Sequence, residues 1–234
     1  HRLLYEYLVP IYDKTFIPDV WSCRKGKGLT GAIERTQQLL AKYNRSFVWR
    51  ADVKKFFDHV NHAALLGIIK NTINDQKVLY LIKEIINSYE YGSMAENRER
   101  ESTIKPRKGI PIGNLTSQIF ANIYLDVFDK FIVEKLKPQS YLRYGDDFIV
   151  IGNNKNELAK VRIILASFLK DKLDLDLHSK NDIIIKAKWG LHFLGTHIFP
   201  KGIRLNRRNK ERVFQQLNLK NAASYNGLVK KYGN

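Results

Sequence analysis

In a chain with 40 Lys and Arg against 23 Asp and Glu, carboxylates at the ends of β-rich runs stand out. A surface that attracts phosphate should exclude acids unless a cation sits between. Two places qualify. Asp52 closes the strand-like run Ser46 to Val53, and Asp146 with Asp147 occupies the turn inside the β-rich stretch Tyr141 to Ile151. Taken alone, either is an ordinary turn aspartate. If the fold brings them together, they offer hard oxygen ligands to divalent cations that also bridge substrate phosphates. Two such ions about 4 Å apart lower the pKa of an attacking hydroxyl and stabilise the leaving oxygen of an in-line displacement. That is polymerase or nuclease chemistry.

The elements that would position these groups can be read from apolar spacing. Leu3, Leu4, Tyr7, Leu8 and Ile11 repeat as on a helix, and Arg24-Lys25-Gly26-Lys27-Gly28 reads as a basic loop opening a second helix through Leu39. Asn61 is a candidate N-cap for a helix from His62 to Lys70, followed by another from Lys77 to Ser88. Gly92 to Lys108 reads as a loop or a β-ribbon. From Ser117 a long helical pattern (Phe120, Ile123, Tyr124, Val127, Phe131, Leu136) stops at Pro138. Gly145-Asp146 is a hairpin-turn signal, Asn156 to Leu169 is a helix, and Ile183 to Phe199 is a strand region. The expected fold is one α+β unit, an antiparallel sheet with helices on one face, carrying a basic tail.

The 234 residues, 44% apolar and rich in aromatics, are ample for a packed core. No stretch approaches the about 20 apolar residues of a membrane span, so no membrane partner is expected. The single Cys23 excludes an internal disulfide and a thiolate zinc site, and makes a reducing cytoplasm the natural compartment. The formal charge of +17 makes nucleic acid the first partner to consider, a generally basic protein being the alternative. Residues 201–234 hold nine Lys or Arg against one acid, which suits either a phosphate-tracking surface or a solvated helix face.

Five segments, taken together, resemble reverse transcriptases. Asp52-Val53-Lys54-Lys55-Phe56-Phe57-Asp58 resembles their motif A, Gly109 to Gln118 their motif B, and Tyr144-Gly145-Asp146-Asp147 their motif C. Cys23 to Gly28 is similar to a fingers segment and Phe193-Leu194-Gly195 to the primer grip. Ile112 stands where most bacterial members carry Gln, and the run Ile112-Gly113-Asn114-Leu115-Thr116-Ser117-Gln118 resembles the enzymes of diversity-generating retroelements. The alternatives are another bacterial reverse transcriptase (group II intron-like, retron or phage-defence type) or a non-catalytic nucleic-acid-binding relative.

The resemblance implies a right-hand polymerase: partial fingers at 1–45, a palm with inserted fingers elements at 46–200 and the start of a thumb at 201–234. The family has further fingers and thumb segments, so the chain reads as part of a longer enzyme. It implies cDNA synthesis from a template-repeat RNA, error-prone at template adenines. The partners would be an RNA template, a DNA or RNA primer, deoxynucleoside triphosphates and a small basic accessory protein. The cofactor would be two Mg²⁺ ions, for which Mn²⁺ can substitute.

By the same resemblance Asp52, the Val53 carbonyl and Asp146 would hold metal, with Asp147 supporting. Phe57 would lie under the incoming sugar and exclude a 2′-hydroxyl, core packing being its alternative role. Ile112, Gly113 and Gln118 would line the nucleotide site, and Lys180 would protonate the leaving pyrophosphate or simply be solvated. Arg24, Lys25, Lys27, Arg204, Arg207 and Arg208 would touch phosphates.

Overall fold

The computed structural model describes residues 1–88 and 107–206. In chain order the helices are α1 (Arg2–Tyr12), α2 (Leu29–Lys42), α3 (Phe56–His59), α4 (His62–Lys70), α5 (Gln76–Asn87), α6 (Leu115–Lys130) and α7 (Lys155–Leu173). The strands are β1 (Phe47–Asp52), β2 (Ser140–Tyr144), β3 (Asp147–Gly152), β4 (Ile183–Lys186), β5 (Leu191–Phe193), β6 (Thr196–Phe199) and β7 (Gly202–Leu205). They divide between two compact units, each assembled from three stretches of sequence. One takes the described residues of His1–Pro18, Asp52–Leu136 and Ile163–Ser179; the other takes those of Asp19–Ala51, Lys137–Arg162 and Lys180 onward. The mixed α+β class expected from the sequence is what the chain adopts.

The first unit is helical. α1 buries Leu4, Leu8 and Tyr12, one residue per turn, as its apolar spacing predicts. α4 starts where Asn61 Oδ1 accepts the Ala64 N–H at 3.1 Å, and α5 starts where Asp75 accepts from Lys77 and Val78. These caps satisfy amides that the first helical turn leaves without intrahelical partners. α6 is buried almost all round and runs into one π-helical turn, Phe131–Leu136, before Pro138. Its Tyr124 hydroxyl donates to the Leu173 carbonyl at 2.6 Å and accepts the Asn61 N–H at 3.3 Å. One phenol thus ties the start of α4 to the end of α7. Burial is the main cause that pushes this phenol's pKa up to about 12.

The second unit holds a four-stranded sheet, in the order β2-β3-β1-β4, and a three-stranded sheet, β5-β6-β7. β2 pairs antiparallel with β3, and β1 antiparallel with β4. Consecutive residues of a strand face opposite sides, and Val48 and Trp49 of β1 are both fully buried, so this inner strand is covered on both faces. The core runs from Ile33 and Leu40 of α2 through Val48, Leu142 and Ile149 to Phe193 and Ile198 of the small sheet.

Two sequence expectations need adjusting. The region Ile183 to Phe199 is broken by a 3₁₀ turn at Ala187–Trp189 and by Gly190, whose φ is +80°. A Cβ at Gly190 would sit 2.6 Å from the Phe199 ring, so the chain needs glycine there to turn from β4 into β5. α7 also continues past Leu169 to Leu173, where the Tyr124 hydroxyl receives its end. The loop or ribbon expected at Gly92 to Lys108 falls, but for its last two residues, outside the described residues. Among the described residues no helix is long and apolar enough to cross a membrane.

Candidate active site

Asp146 and Asp147 belong to the sheet unit. Tyr144 pairs with Asp147, which leaves Gly145 and Asp146 as a two-residue turn between β2 and β3. Gly145 has a φ of +64°, the sign a tight hairpin of the II′ kind demands at its first turn position. Both polar groups of its backbone are engaged. The Gly145 N–H donates to Ser22 Oγ at 2.9 Å, and the Gly145 carbonyl accepts from Arg143 Nη1 at 2.8 Å. Arg143 is fully buried, and its own backbone is clamped by Asp19 and Trp21 across a parallel bridge at Val20. Asp147 is ion-paired with Arg50 Nη2 at 3.1 Å, and that guanidinium also lies 5.8 Å from the Phe193 ring centre. Further along the sheet, Trp49 Nε1 donates to Asp182 Oδ1 at 2.7 Å, and Arg162 holds the other oxygen at 2.6 Å. The Tyr144 phenol has its pKa raised, chiefly by burial and then by neighbouring Cys23.

Asp52 belongs to the helical unit. It is half-buried at the last position of β1, and the next residue, Val53, forms an isolated antiparallel bridge with Leu177. The bridge is made by the Lys54 N–H to the Asp176 carbonyl (2.8 Å) and the His178 N–H to the Asp52 carbonyl (2.9 Å). In such a pair the bridged residue's own carbonyl points away from its partner, so that of Val53 faces the other edge. Lys55, at φ +47°, then turns the chain into α3.

Within α3, Phe56 is buried and Phe57 half-buried, their rings edge to face at 5.3 Å. The Phe57 carbonyl accepts the Ile110 N–H, and the Val60 carbonyl accepts the Gly109 N–H, both at 2.8 Å. His62 Nε2 meets the Gly109 carbonyl at 2.7 Å. The structure thus brings together two segments the sequence marked separately, α3 and the Gly109–Gly113 stretch. Beyond that tie the stretch emerges: Ile112 is three-quarters exposed, Gly113 is exposed at φ +96°, and Gln118 is half-buried in the first turn of α6.

The basic candidates divide. Arg24 Nη1 donates to the Val20 carbonyl, and Lys27 Nζ lies 4.7 Å from the Trp21 ring centre, so both are turned onto their own loop. Lys25, Lys180 and Arg204 are exposed, whereas Arg207 and Arg208 lie outside the described residues. Sequence reading missed Arg50, Ser22 and Arg143. A buried arginine in so basic a chain carries no mark that separates it from a phosphate contact.

Among the described residues no group of three or more His, Cys, Asp or Glu side chains is gathered closely enough to hold a metal by itself. The available donors are carboxylates and a backbone carbonyl, the hard oxygens Mg²⁺ prefers, and Mg²⁺ is commonly held by one or two carboxylates with substrate phosphates completing its shell. Each unit offers oxygens of the kind that mode of binding uses, Asp52 and the Val53 carbonyl in one and Asp146 in the other.

The chain is similar to several known proteins. A 91 kDa protein of uncharacterised function in the cob intron of Schizosaccharomyces pombe is 30% identical over 139 residues, 59% of this chain and 16% of that protein. The group II intron-encoded protein LtrA of Lactococcus lactis is 23% identical over 209 residues, 63% of this chain and 34% of that protein. Protein YkfC of Escherichia coli is 22% identical over 266 residues, 98% of this chain and 68% of that protein. This chain thus spans between about a sixth and a third of the first two. Among solved structures, telomerase from Candida tropicalis truncated from its C-terminal domain superposes with a TM-score of 0.59 at 19% identity, over 88% of this chain and 44% of that one. Telomerase from Candida albicans with a fragment of telomeric RNA gives 0.58 at 16% identity, over 88% and 37%. The sequence model described as reverse transcriptase (RNA-dependent DNA polymerase) matches residues 2–198, so the hairpin of Asp146 and the strand end of Asp52 belong to a member of the reverse transcriptase family.

Proposed function

We propose that this chain is the catalytic core of an RNA-directed DNA polymerase, with Asp52, the Val53 carbonyl and Asp146 holding two Mg²⁺ ions. When bound, these ions lower the pKa of a primer 3′-hydroxyl and neutralise charge on the triphosphate. The chain's own groups do the rest. Asp147 is held by Arg50 and so fixes β3 rather than reaching outward. Ser22 and Arg143 fix the peptide just before Asp146, which sets where that carboxylate begins. In this reading Lys180, exposed before β4, gives a proton to the leaving pyrophosphate. Lys25 and Arg204, with Arg207 and Arg208, meet phosphates of the template or primer.

The observation that carries this reading is the division of labour in α3. Phe56 fills the core, leaving the Phe57 ring at the surface beside the Ile110 segment, where a deoxyribose would fit and a ribose 2′-hydroxyl would clash. Ile112 and Gly113, exposed on the same segment, would pass beneath the nascent base pair, with Gln118 supporting α6 behind them. The test is primer extension with deoxynucleotides and ribonucleotides in parallel. A polymerase that uses both equally would remove Phe57 from this role.

The subclass has two readings. The named relatives include intron-encoded proteins, which favours the group II intron-like alternative. Ile112, in place of an amide, favours a diversity-generating retroelement, where template-repeat RNA is copied with errors at adenines and a small basic accessory protein assists. Sequencing cDNA made on a defined RNA template separates them. Errors concentrated opposite adenine and reduced by Ile112→Gln would support the retroelement reading, and an even, low error rate would support the intron-like one.

A further inference from the structure

β3 starts at the Asp146 turn and ends near Ser46, whose Oγ lies 3.4 Å from Asn153 Oδ1. β3 is six residues long, about 20 Å, so this end of the sheet is a strand's length from the catalytic hairpin. A cavity of about 440 Å³ opens there, lined by Asn44, Arg45, Lys188, Phe199, Pro200 and Lys201. Its wall has three cations and no acid. Beside Lys188 the 3₁₀ turn presents Trp189, 60% exposed, with Lys186 Nζ 5.9 Å from the indole. Phe199 continues a row of rings on the outer face of the small sheet: it lies 4.0 Å from His197, which stacks on His192 at 3.9 Å. Core packing does not account for an indole left in water beside this row.

We propose that this end of the sheet unit is a second nucleic-acid site, which holds a single strand apart from the polymerase centre. Arg45, Lys188 and Lys201 take backbone phosphates, and Trp189 offers a face on which an unpaired base stacks. Cations in a groove beside an open ring face are what a single strand uses without regard to sequence. A duplex keeps its base faces covered by stacking and would leave the indole idle. An acidic peptide would use the cations alone.

The test reads this site with the polymerase centre filled. The whole protein is saturated with an unlabelled primer–template hairpin, and a fluorescein-labelled oligouridine of about twelve nucleotides is titrated by anisotropy. The triple variant Arg45→Gln, Lys188→Gln, Lys201→Gln should bind about tenfold more weakly or worse. Its plot of log affinity against log salt should be shallower by about 2, because a single strand gives about 0.7 per neutralised phosphate. Trp189→Ala should bind about fivefold more weakly with the slope unchanged. Both variants should extend the hairpin at the wild-type rate and keep the wild-type melting curve. Oligodeoxythymidine is titrated in parallel: equal losses assign the site to either single strand, and losses with oligouridine alone assign it to RNA. Wild-type affinity and slope in both variants would overturn the proposal. So would a triple-variant loss matched by polyglutamate while Trp189→Ala has no effect, which would mark a general anion-binding face. Loss of oligouridine binding in a protein that extends no primer would leave this site standing and remove the polymerase reading; normal extension with unaltered oligouridine binding would do the reverse.

Discussion

Phe57 and Ser22 act on single contacts, and each gives a sharp expectation. Phe57→Ala opens space under the incoming sugar while Phe56 keeps the core filled, so ribonucleotide use should rise by roughly tenfold or more relative to deoxynucleotide use. Single-nucleotide incorporation kinetics with each triphosphate measures the ratio. Ser22→Ala removes the acceptor of the Gly145 N–H. Leaving that amide without its bond costs about 1–3 kcal/mol. If the loss appears in the placement of Asp146, kcat falls by about tenfold, while the thermal midpoint moves only a few degrees. The sequence singled out the candidate carboxylates by their place at the ends of β-rich runs, and Phe57 by the resemblance of its segment to motif A. Ser22, Arg143 and Arg50 were not. Their partners are Gly145 and Asp147, and what joins them is the pairing of Val20 with Arg143 and the order of strands in the sheet, neither of which local pattern encodes.

Tyr124 holds together elements distant in sequence, so its effect belongs to stability rather than to chemistry. Tyr124→Phe removes the hydroxyl that serves the Leu173 carbonyl and the Asn61 N–H in a buried place. The expected cost is about 1–3 kcal/mol in a urea titration, with polymerase KM little changed. The phenol also sets a pH dependence. In the folded chain its pKa is about 12, above the ordinary value of 10.0, so the folded state keeps a proton that the unfolded state loses first. Tyr124 therefore stabilises the fold fully below about pH 10, and that contribution is lost as pH rises towards 12. The Phe variant should lack that part of the alkaline decline. Long helices with regular apolar spacing, and the Asn61 cap, could be read from sequence because each is a local pattern. The short strands β4 to β6 ran together into one region, Ile183 to Phe199, because three or four residues each give too few alternations. The turn at Gly190, where a side chain would meet the Phe199 ring, separates β4 from β5, and the turn at Leu194-Gly195 separates β5 from β6.

The charge of +17 belongs to the whole chain, and its consequence is salt dependence. A duplex contact through about six phosphates should lose roughly a thousandfold in affinity between low and physiological salt, as filter binding or anisotropy would show. Charge alone fitted any basic protein, and the single α+β unit expected from local pattern is instead two compact units built from interleaved stretches. The most direct test of the central claim is primer extension on an RNA template with Mg²⁺ and deoxynucleotides, comparing the complete protein with its Asp146→Ala variant. Deoxynucleotide-dependent extension that falls at least a thousandfold in the variant, about 4 kcal/mol of transition-state stabilisation, is the predicted result. Extension that survives in Asp146→Ala at the wild-type rate would contradict it.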